Sequence, residues 1–285
     1  MTRFIPSPPH ALIQEAVARA LAEDLGLAGD VTTNACIPAD ATVSAVINAR
    51  APGVIAGCAL AREAFHQVDP SIVIKEASAD GTRVSAGCAV IELEGRARSI
   101  LIAERVALNF LCHLSGISSA TAEFVEKTIG TNANIVCTRK TTPTLRAFEK
   151  HAVNCGGGKN HRFGLFDAVM IKDNHIAACG GDINAAIARV RAAIGHTVKV
   201  EVEVDRLDQL ETALKAGADI VLLDNMTTDE LRTAVQQNAG RAILEASGGV
   251  NLDSVGDIAA TGVDLISTGW ITHSAPALDL GLDFK

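Results

Sequence analysis

The sequence predicts an α/β protein in which a mixed α/β region is followed by a shortened or open barrel of parallel strands. After Gly116, short apolar runs alternate with segments of helical spacing, which is the pattern of repeated βα units. Six such runs fit within roughly 140 residues, whereas a closed eight-stranded barrel usually needs about 250. Hydrophobic residues make up 48% of the chain but aromatic residues only 3%, so we expect a core of closely packed small side chains.

The region before Gly116 predicts helices and strands in turn. Apolar residues at helical spacing indicate a helix from residue 11 that stops at Gly26, and residues 42–49 alternate as a strand does. The pattern then predicts a short helix at 59–67, strands around 72–77 and 88–94, and a long helix over 97–114.

The strands and helices of the βα units can be placed in order after Gly116. The predicted strands are 135–137, 168–171, 198–204, 220–223, 242–244 and 263–266. The predicted helices are 182–194, 206–216, 228–237 and 252–260. In folds of this kind the chemistry takes place at the carboxyl ends of the strands, so the residues that follow each strand are the candidates for a site.

Composition restricts the partners and the compartment. The formal net charge of −8 argues against nucleic acid as the main partner. The seven cysteines are scattered, without a CxxC pair or a Cys/His metal spacing, which favours a reducing compartment. No apolar run at the start of the sequence is long enough for a signal peptide or a membrane span. We therefore expect a cytoplasmic protein without a nucleic-acid or membrane partner.

Cationic side chains follow the first strands of the βα region. They are Arg139 and Lys140 after the first strand, His161 and Arg162 after the loop Gly156-Gly157-Gly158, and Lys172 after the second strand. Each pair alone is more simply a solvated basic pair at the surface. Because they recur at strand ends that converge on one edge, together they indicate a site for a small, multiply anionic substrate.

Acidic residues and small-residue loops follow the later strands. Glu201 and Glu203 share one face of their strand, and Asp224 follows the next strand. Inside a barrel these carboxylates need cations or a metal, whereas outside it they are ordinary surface residues. The loops Ser247-Gly248-Gly249 and Thr268-Gly269 are typical of a barrel phosphate site. Cations, acids and a phosphate loop suit transfer of a phosphorylated sugar to an acidic small molecule.

With these residues in place, the sequence resembles the quinolinate phosphoribosyltransferase family over nearly its whole length. The resemblance rests on the segments that run from Glu104-Arg105 to Leu111, Leu114 to Ile117, Thr138 to Thr141, Gly156 to Gly158 with His161-Arg162, Lys172 to His175, Glu201 to Val204, Leu222 to Asn225, Ser247 to Gly249, and Thr272 to Ser274. So many segments in order and at matching separations make the resemblance specific.

The resemblance implies an architecture and an assembly. It implies an N-terminal α/β sandwich-like domain at 1–115, joined by the C-terminal tail 273–285, and an open, seven-stranded α/β barrel at 116–272. It further implies a homodimer or a hexamer, built as a trimer of dimers, with active sites shared between subunits.

The resemblance also implies an activity and a set of site residues. The family is a group of pentosyltransferases that transfer phosphoribose from phosphoribosyl pyrophosphate (PRPP) to quinolinate with decarboxylation, which gives nicotinate mononucleotide, pyrophosphate and CO₂ in NAD biosynthesis and uses Mg²⁺. The residues expected at quinolinate are Arg105 from a neighbouring subunit, Thr138, Arg139, His161, Arg162 and Lys172. Those expected at PRPP are Lys140, Glu203, Asp224, Ser247, Gly248, Gly249, Thr268, Gly269 and Trp270. Lys140, Lys172, Glu203 and Asp224 are the expected catalytic residues, and Glu203 and Asp224 are the expected Mg²⁺ ligands, directly or through water.

Two residues depart from the family pattern, and three alternative functions stay open. Thr144 stands where the family usually has glycine, and Trp270 stands where a small residue usually follows the last strand end. One alternative is a paralogous enzyme of the molybdenum-transport-associated type with a different anionic substrate. The others are an aldolase-like barrel with Lys172 as a Schiff-base lysine and a non-catalytic barrel that binds a phosphorylated metabolite.

Overall fold

Helices and strands alternate along the chain. The computed structural model describes residues 5–285, except for the side chain of Glu76. The helices are α1 (His10–Leu25), α2 (Val31–Cys36), α3 (Cys58–Val68), α4 (Ala97–Lys127), α5 (Arg146–Cys155), α6 (Asp173–Ala178), α7 (Ile183–Ala193), α8 (Leu207–Lys215), α9 (Thr228–Asn238), α10 (Val255–Ala259) and α11 (Trp270–His273). The strands are β1 (Thr42–Ala49), β2 (Gly53–Val54), β3 (Val73–Ala77), β4 (Arg83–Val84), β5 (Ala89–Arg96), β6 (Asn134–Val136), β7 (Val169–Ile171), β8 (Val200–Val204), β9 (Ile220–Asp224), β10 (Ile243–Ser247), β11 (Leu265–Ser267) and β12 (Leu280–Phe284).

The first of two compact units contains the described residues up to Ala122, together with Ala147–Gly157 and Ala275–Lys285. Its main sheet has four antiparallel strands in the order β12-β1-β5-β3, and β2 and β4 form a small second sheet. The strands predicted at 42–49, 72–77 and 88–94 are confirmed as β1, β3 and β5. The alternation of β1 puts residues such as Ala45 and Ile47 into the core of this unit.

Helix α4 is longer than the sequence indicates, so the predicted end at residue 114 is wrong. Gly116 usually argues for a helix end, but here the helix continues through it to Lys127. A Cβ at Gly116 would overlap the backbone oxygen of Pro276, so the glycine permits close approach of the C-terminal segment. By length and composition α4 could cross a membrane. Core helices that are mostly buried meet the same criteria, and 61% of the most apolar stretch of α4 is buried inside the protein.

Helix α5 lies in the first unit, although the sequence analysis assigned its residues to the 116–272 domain. The reason is a set of polar contacts that sequence spacing does not reveal. Glu149 of α5 is fully buried and lies 2.9 Å from Nε2 of His113 on α4. His151 of the same helix lies 2.8 Å from Asp80, in the loop between β3 and β4.

The second unit contains Glu123–Arg146 and Gly158–Ser274 and is built on a six-stranded sheet in the order β6-β11-β10-β9-β8-β7. Every pairing in this sheet is parallel, which confirms the six predicted strands. The resemblance implies a seventh strand. Within residues 5–285 the sheet has six strands, and beyond them only a single β-bridge, between Val136 and Lys159. The pairing thus establishes a parallel α/β sheet, and its closure toward a barrel stays a prediction.

Four helices of the second unit match the predicted ones, namely α7, α8, α9 and α10. Helix α9 begins with a capping box, in which the Thr227 hydroxyl and the Glu230 carboxylate satisfy each other's backbone N–H groups. The short helices α6 and α11 were not predicted. Since all six strands are parallel, their carboxyl ends lie at one edge, where the candidate site is found.

Candidate active site

A cavity of about 430 Å³ lies at the carboxyl edge of the parallel sheet, within the usual size range of small-ligand sites. The predicted site residues that line it are Thr138, Arg139, Lys140, His161, Arg162, Lys172, Glu203, Asp224 and Ser247. The sequence analysis did not name four further lining residues, Met170, Leu222, Glu245 and Ser267. The parallel topology therefore brings side chains from all six strand ends to one space.

The loop after β6, which carries Lys140, is held on two sides. The Lys140 backbone N–H donates to the Thr138 hydroxyl at 3.0 Å, and the Lys140 carbonyl accepts from the Thr272 hydroxyl at 2.7 Å. A Cβ at Gly269 would lie 2.8 Å from Cδ of Lys140, so a larger residue there would push the lysine stem away. These contacts fix the loop on α11 and hold the start of the Lys140 side chain at the cavity wall.

Two arginine side chains bring charged donors to the cavity, and the Nε donor of each has no acceptor among the described residues. Nε of Arg139 and Nε of Arg162 are both buried, and neither has a hydrogen-bond partner in the described part of the chain. Nη1 of Arg162 donates to the Ala168 carbonyl at 3.3 Å, which orients its guanidinium. Burial, followed by the neighbouring Arg139, lowers the pKa of Arg162, although a guanidinium stays protonated in proteins. Unpaired buried donors are costly, so this pair is suited to receive anionic oxygens from a ligand.

Lys172 forms an ion pair at the cavity wall. Its Nζ lies 2.5 Å from Oε2 of Glu203, with the carboxylate the more buried of the two groups. The Lys172 backbone N–H also donates to Nδ1 of His175 at 3.0 Å, which fixes the start of α6. The lysine is thus held as a charged group beside the carboxylate.

Glu203 and Asp224 end the neighbouring strands β8 and β9 and line the same cavity. Both also line an adjoining cavity of about 310 Å³, which further includes Asp173 and Asp205. Carboxylate oxygens are the ligands that Mg²⁺ prefers and are good acceptors for sugar hydroxyls. The donor set at this end of the site therefore fits a magnesium ion or a ribose.

The loop after β10 requires glycine. Gly248 and Gly249 have φ values of 95° and 61°, a region that side-chain-bearing residues avoid. A Cβ at Gly248 would also lie 2.9 Å from the Asn225 backbone nitrogen, which itself donates to the Ser247 carbonyl at 2.9 Å. Ser247 lines the cavity. The residues that follow it after β10, Gly248 and Gly249, and those that follow β11, Thr268, Gly269 and Trp270, are not among the lining residues.

The two departures from the family pattern have different structural outcomes. Trp270 begins α11 and packs its ring on Phe124, with the ring centroids 5.9 Å apart, so the indole does not line the cavity in the described chain. Thr144 has a φ of 69°, the left-handed conformation that glycine adopts without strain. The structure therefore keeps a glycine-like backbone at Thr144.

Beside the cavity lies a buried group that the sequence analysis did not assemble, made of His161, Glu201 and Glu245. Nε2 of His161 is 2.9 Å from Glu201 and 3.6 Å from Glu245, and Nδ1 accepts the Arg162 backbone N–H at 2.7 Å. One imidazole N–H thus serves two buried carboxylates. Burial, followed by the charge of Glu201, raises the pKa of Glu245 to about 7.

A sequence signal for Glu245 did exist. The predicted strand ended at residue 244, whereas β10 continues to Ser247. Residues two apart on a strand share a face, so Glu245 lies on the same face as the cavity-lining Ser247.

Arg105, the remaining predicted residue, lies on α4 in the first unit and is exposed.

Comparisons with known proteins agree with this geometry. The N-terminal domain of quinolinate phosphoribosyl transferase matches residues 30–115, and the C-terminal domain of that family matches residues 117–283. The chain is 40% identical to a probable nicotinate-nucleotide pyrophosphorylase (carboxylating) of Bacillus subtilis, over 96% of this chain and 94% of the relative. It is 43% identical to the nicotinate-nucleotide pyrophosphorylase (carboxylating) of Mycobacterium leprae, over 95% of this chain and 96% of the relative.

A solved structure shows the same fold. The nicotinate-nucleotide pyrophosphorylase from Francisella tularensis superposes with a TM-score of 0.94 at 39% sequence identity, over 100% of both chains. Since two family domains match in order and relatives of this identity span nearly the whole sequence, the chain belongs to the quinolinate phosphoribosyltransferase family.

Proposed function

We propose that this chain transfers the phosphoribosyl group of PRPP to quinolinate and releases pyrophosphate and CO₂, which gives nicotinate mononucleotide for NAD biosynthesis. The names of the relatives support the reaction class. The single observation that carries the choice of substrate is the pair of buried Nε–H donors of Arg139 and Arg162, which have no acceptor in the described chain. A ligand with two adjacent carboxylates satisfies both.

Quinolinate binds at the cationic side of the cavity. Arg139 and Arg162 receive its two carboxylates, because a guanidinium pairs with a carboxylate through parallel hydrogen bonds. Thr138 and Lys172 border the same space. His161 acts on quinolinate indirectly, because its two ring nitrogens already contact Glu201 and the Arg162 backbone.

PRPP binds at the acidic side and the glycine loop. Glu203 and Asp224 hold the ribose hydroxyls and, directly or through water, the Mg²⁺ that neutralises pyrophosphate charge when bound. Lys140 lies between the two substrates and contacts the pyrophosphate. The 5′-phosphate accepts hydrogen bonds from the loops at the last two strand ends, which are Ser247-Gly248-Gly249 and Thr268-Gly269-Trp270.

The reaction follows from this placement. The bond between the ribose anomeric carbon and pyrophosphate breaks, and charge builds up on the leaving oxygens beside Lys140. The pyridine nitrogen then forms the new bond to the anomeric carbon, so the ring becomes cationic. The bond from the ring to the carboxylate next to that nitrogen breaks, its electron pair stays on the ring carbon, and a proton from water replaces the released CO₂.

Assembly and compartment are part of the proposal. We propose a homodimer or a trimer of dimers, in which the exposed Arg105 of α4 reaches the active site of a neighbouring subunit. A reducing compartment such as the cytoplasm suits the seven cysteines, none of which forms a disulfide in the described part of the chain. The pairing of Lys172 with Glu203 favours this function over an aldolase-like one, because a Schiff-base lysine must be able to act as a free amine.

The test is incubation with quinolinate, PRPP and Mg²⁺ while CO₂ and nicotinate mononucleotide are followed. We expect the two products in equal amounts. A companion reaction with nicotinate, which lacks the second carboxylate, should be slower by a factor of about 10³ or more, because a buried cation then stays unpaired. Absence of turnover with quinolinate, or equal rates with nicotinate, contradicts the proposal.

A further inference from the structure

A second cluster of metal-ligand side chains lies in the first unit, apart from the residues assigned to the substrates. It consists of Asp80, His151 and Cys155, and we name it the Asp80–His151–Cys155 cluster. Nε2 of His151 is 2.8 Å from Oδ2 of Asp80 and 3.5 Å from Sγ of Cys155. His151 and Cys155 are four residues apart on α5, so both project from one face of that helix. One ligand atom from each residue lies within 4.8 Å of the others.

The hydrogen bonds of His151 specify which nitrogen faces the cluster as an electron-pair donor. Nδ1 lies 3.0 Å from the Pro6 carbonyl oxygen, which can only accept, so Nδ1 carries a hydrogen. In a neutral imidazole Nε2 then has a lone pair, and that lone pair points at the Asp80 carboxylate and the Cys155 sulfur. Either a second ring proton on Nε2 or a metal ion must therefore lie between these groups. A ring N–H that donates to a backbone carbonyl is the usual support of a metal-binding histidine.

Asp80 is also held in place by groups outside the cluster. Its two carboxylate oxygens accept the backbone N–H groups of Cys58 at 3.0 Å and Gly57 at 3.2 Å, at the start of α3. Burial, followed by the charge of Asp80, raises the pKa of the Cys58 thiol. A second sulfur therefore lies near Asp80, and it must move toward His151 and Cys155 before it can serve as a fourth ligand.

The distances suit a tetrahedral zinc ion. With zinc–nitrogen and zinc–sulfur bonds of about 2.0 and 2.3 Å, the nitrogen–sulfur edge of the tetrahedron is about 3.5 Å, as observed between His151 and Cys155. The nitrogen–oxygen edge is about 3.3 Å, so Asp80 must retreat by about 0.5 Å from His151. Sulfur and imidazole nitrogen select zinc over Mg²⁺, which prefers oxygen alone. The Asp80 side chain is 17% exposed, which gives an ion a route of entry.

We propose that Asp80, His151 and Cys155 bind a zinc-type divalent ion, with Cys58 as the fourth ligand. The site ties three separate segments of the first unit together, namely α3, the loop between β3 and β4, and α5. It is structural, since a site closed by four protein ligands leaves no position for a substrate. The rival explanation is an ion pair between Asp80 and a doubly protonated His151, which needs no metal.

The test is metal binding by the whole protein, first stripped with a chelator and then kept in excess Mg²⁺. Titration with Co²⁺ should give a thiolate-to-metal absorption band that saturates at one ion per chain, and Zn²⁺ should abolish it. Bound Zn²⁺ should also raise Tm. The variants Cys155→Ser and His151→Asn should weaken Co²⁺ binding at least tenfold and lose the rise in Tm.

Two controls isolate the site. Cys36→Ser removes an exposed thiol and should bind Co²⁺ as the wild type does. Glu245→Gln alters the other group of three metal-ligand residues, around His161, and should also leave the band unchanged. Failure of the wild-type protein to give the thiolate band overturns the proposal and favours the ion pair, and this outcome does not depend on whether any variant folds. Co²⁺ binding by Cys155→Ser that is as tight as by the wild type overturns it as well, since a residual band from Cys58 should need a higher Co²⁺ concentration. The phosphoribosyl transfer assay is unaffected by either result.

Discussion

Neutralising Glu245 should change how the stability of the second unit depends on pH. The side chain is 1% exposed, and its pKa is raised from 4.5 to about 7, first by burial and then by Glu201. A carboxyl group whose pKa is higher in the folded than in the unfolded chain contributes its stability fully below pH 4.5. That contribution is lost as the pH rises through about 7, because the folded protein must then hold a buried charge.

The magnitude follows from the two pKa values. Each pH unit between them costs about 1.4 kcal/mol, so the free energy of unfolding should fall by roughly 2 to 3 kcal/mol between pH 5 and pH 8 on account of Glu245. Glu245→Gln keeps the shape of the side chain and removes the titration. Its stability relative to the wild type should therefore increase by roughly 2 to 3 kcal/mol over the same interval.

The assay is urea unfolding of the substrate-free protein at pH 5 and pH 8. Fluorescence of Trp270, the one tryptophan of the sequence, reports the unit that contains Glu245 because the indole packs on Phe124. Glu211→Gln is the matched control. The pKa of Glu211 is lowered to about 2, chiefly by its hydrogen bond to Arg241, so its contribution is lost only as the pH falls toward 2. A Glu245→Gln difference that is the same at pH 5 and pH 8 refutes the reasoning.

Three further variants test the site and its loops. Arg162→Lys should reduce kcat/KM for quinolinate at least 100-fold without unfolding, because lysine cannot replace a bidentate guanidinium, and near-wild-type kinetics would contradict its assignment. Thr144→Gly should raise the free energy of unfolding by about 1 kcal/mol, because it removes the strain of a left-handed threonine. The control is Thr197→Gly, at an exposed turn position without a positive φ, which should lower the free energy of unfolding. Gly248→Ala should raise KM for PRPP and destabilise the protein by about 2 kcal/mol, and an unchanged KM would exclude the loop from the phosphate site.

The parallel sheet could be predicted because most of its strands are short, largely buried apolar runs that alternate with helical segments, although β8 alternates valine with glutamate. The predicted end of α4 was wrong because glycine can either end a helix or permit close contact within one. Gly116 resembles a helix end, yet it is a point of close contact inside α4. The seventh strand was an expectation from the resemblance, and the chain forms only a bridge at Lys159 in its described part.

The cations and acids of the site could also be found from the sequence, because they directly follow apolar strands whose carboxyl ends meet. Glu245 lies inside its strand and was missed because the predicted strand ended at residue 244, three residues before the end of β10. The Asp80–His151–Cys155 cluster could not be found, since Asp80 comes from a loop some 70 residues before α5 and no spacing rule connects them. Only the tertiary fold brings these groups together.

The position of β12 has a consequence for folding. This strand pairs with β1, and a hydrogen bond joins Asn48 to Asp283 across 235 residues of sequence. Closing a loop of that length costs about 5 kcal/mol of chain entropy, which no local contact offsets. During synthesis, β1 therefore keeps an open edge while every strand of the parallel sheet is made. Until β12 arrives, that edge is available to another chain, so crowding of nascent copies should favour swapped or aggregated forms.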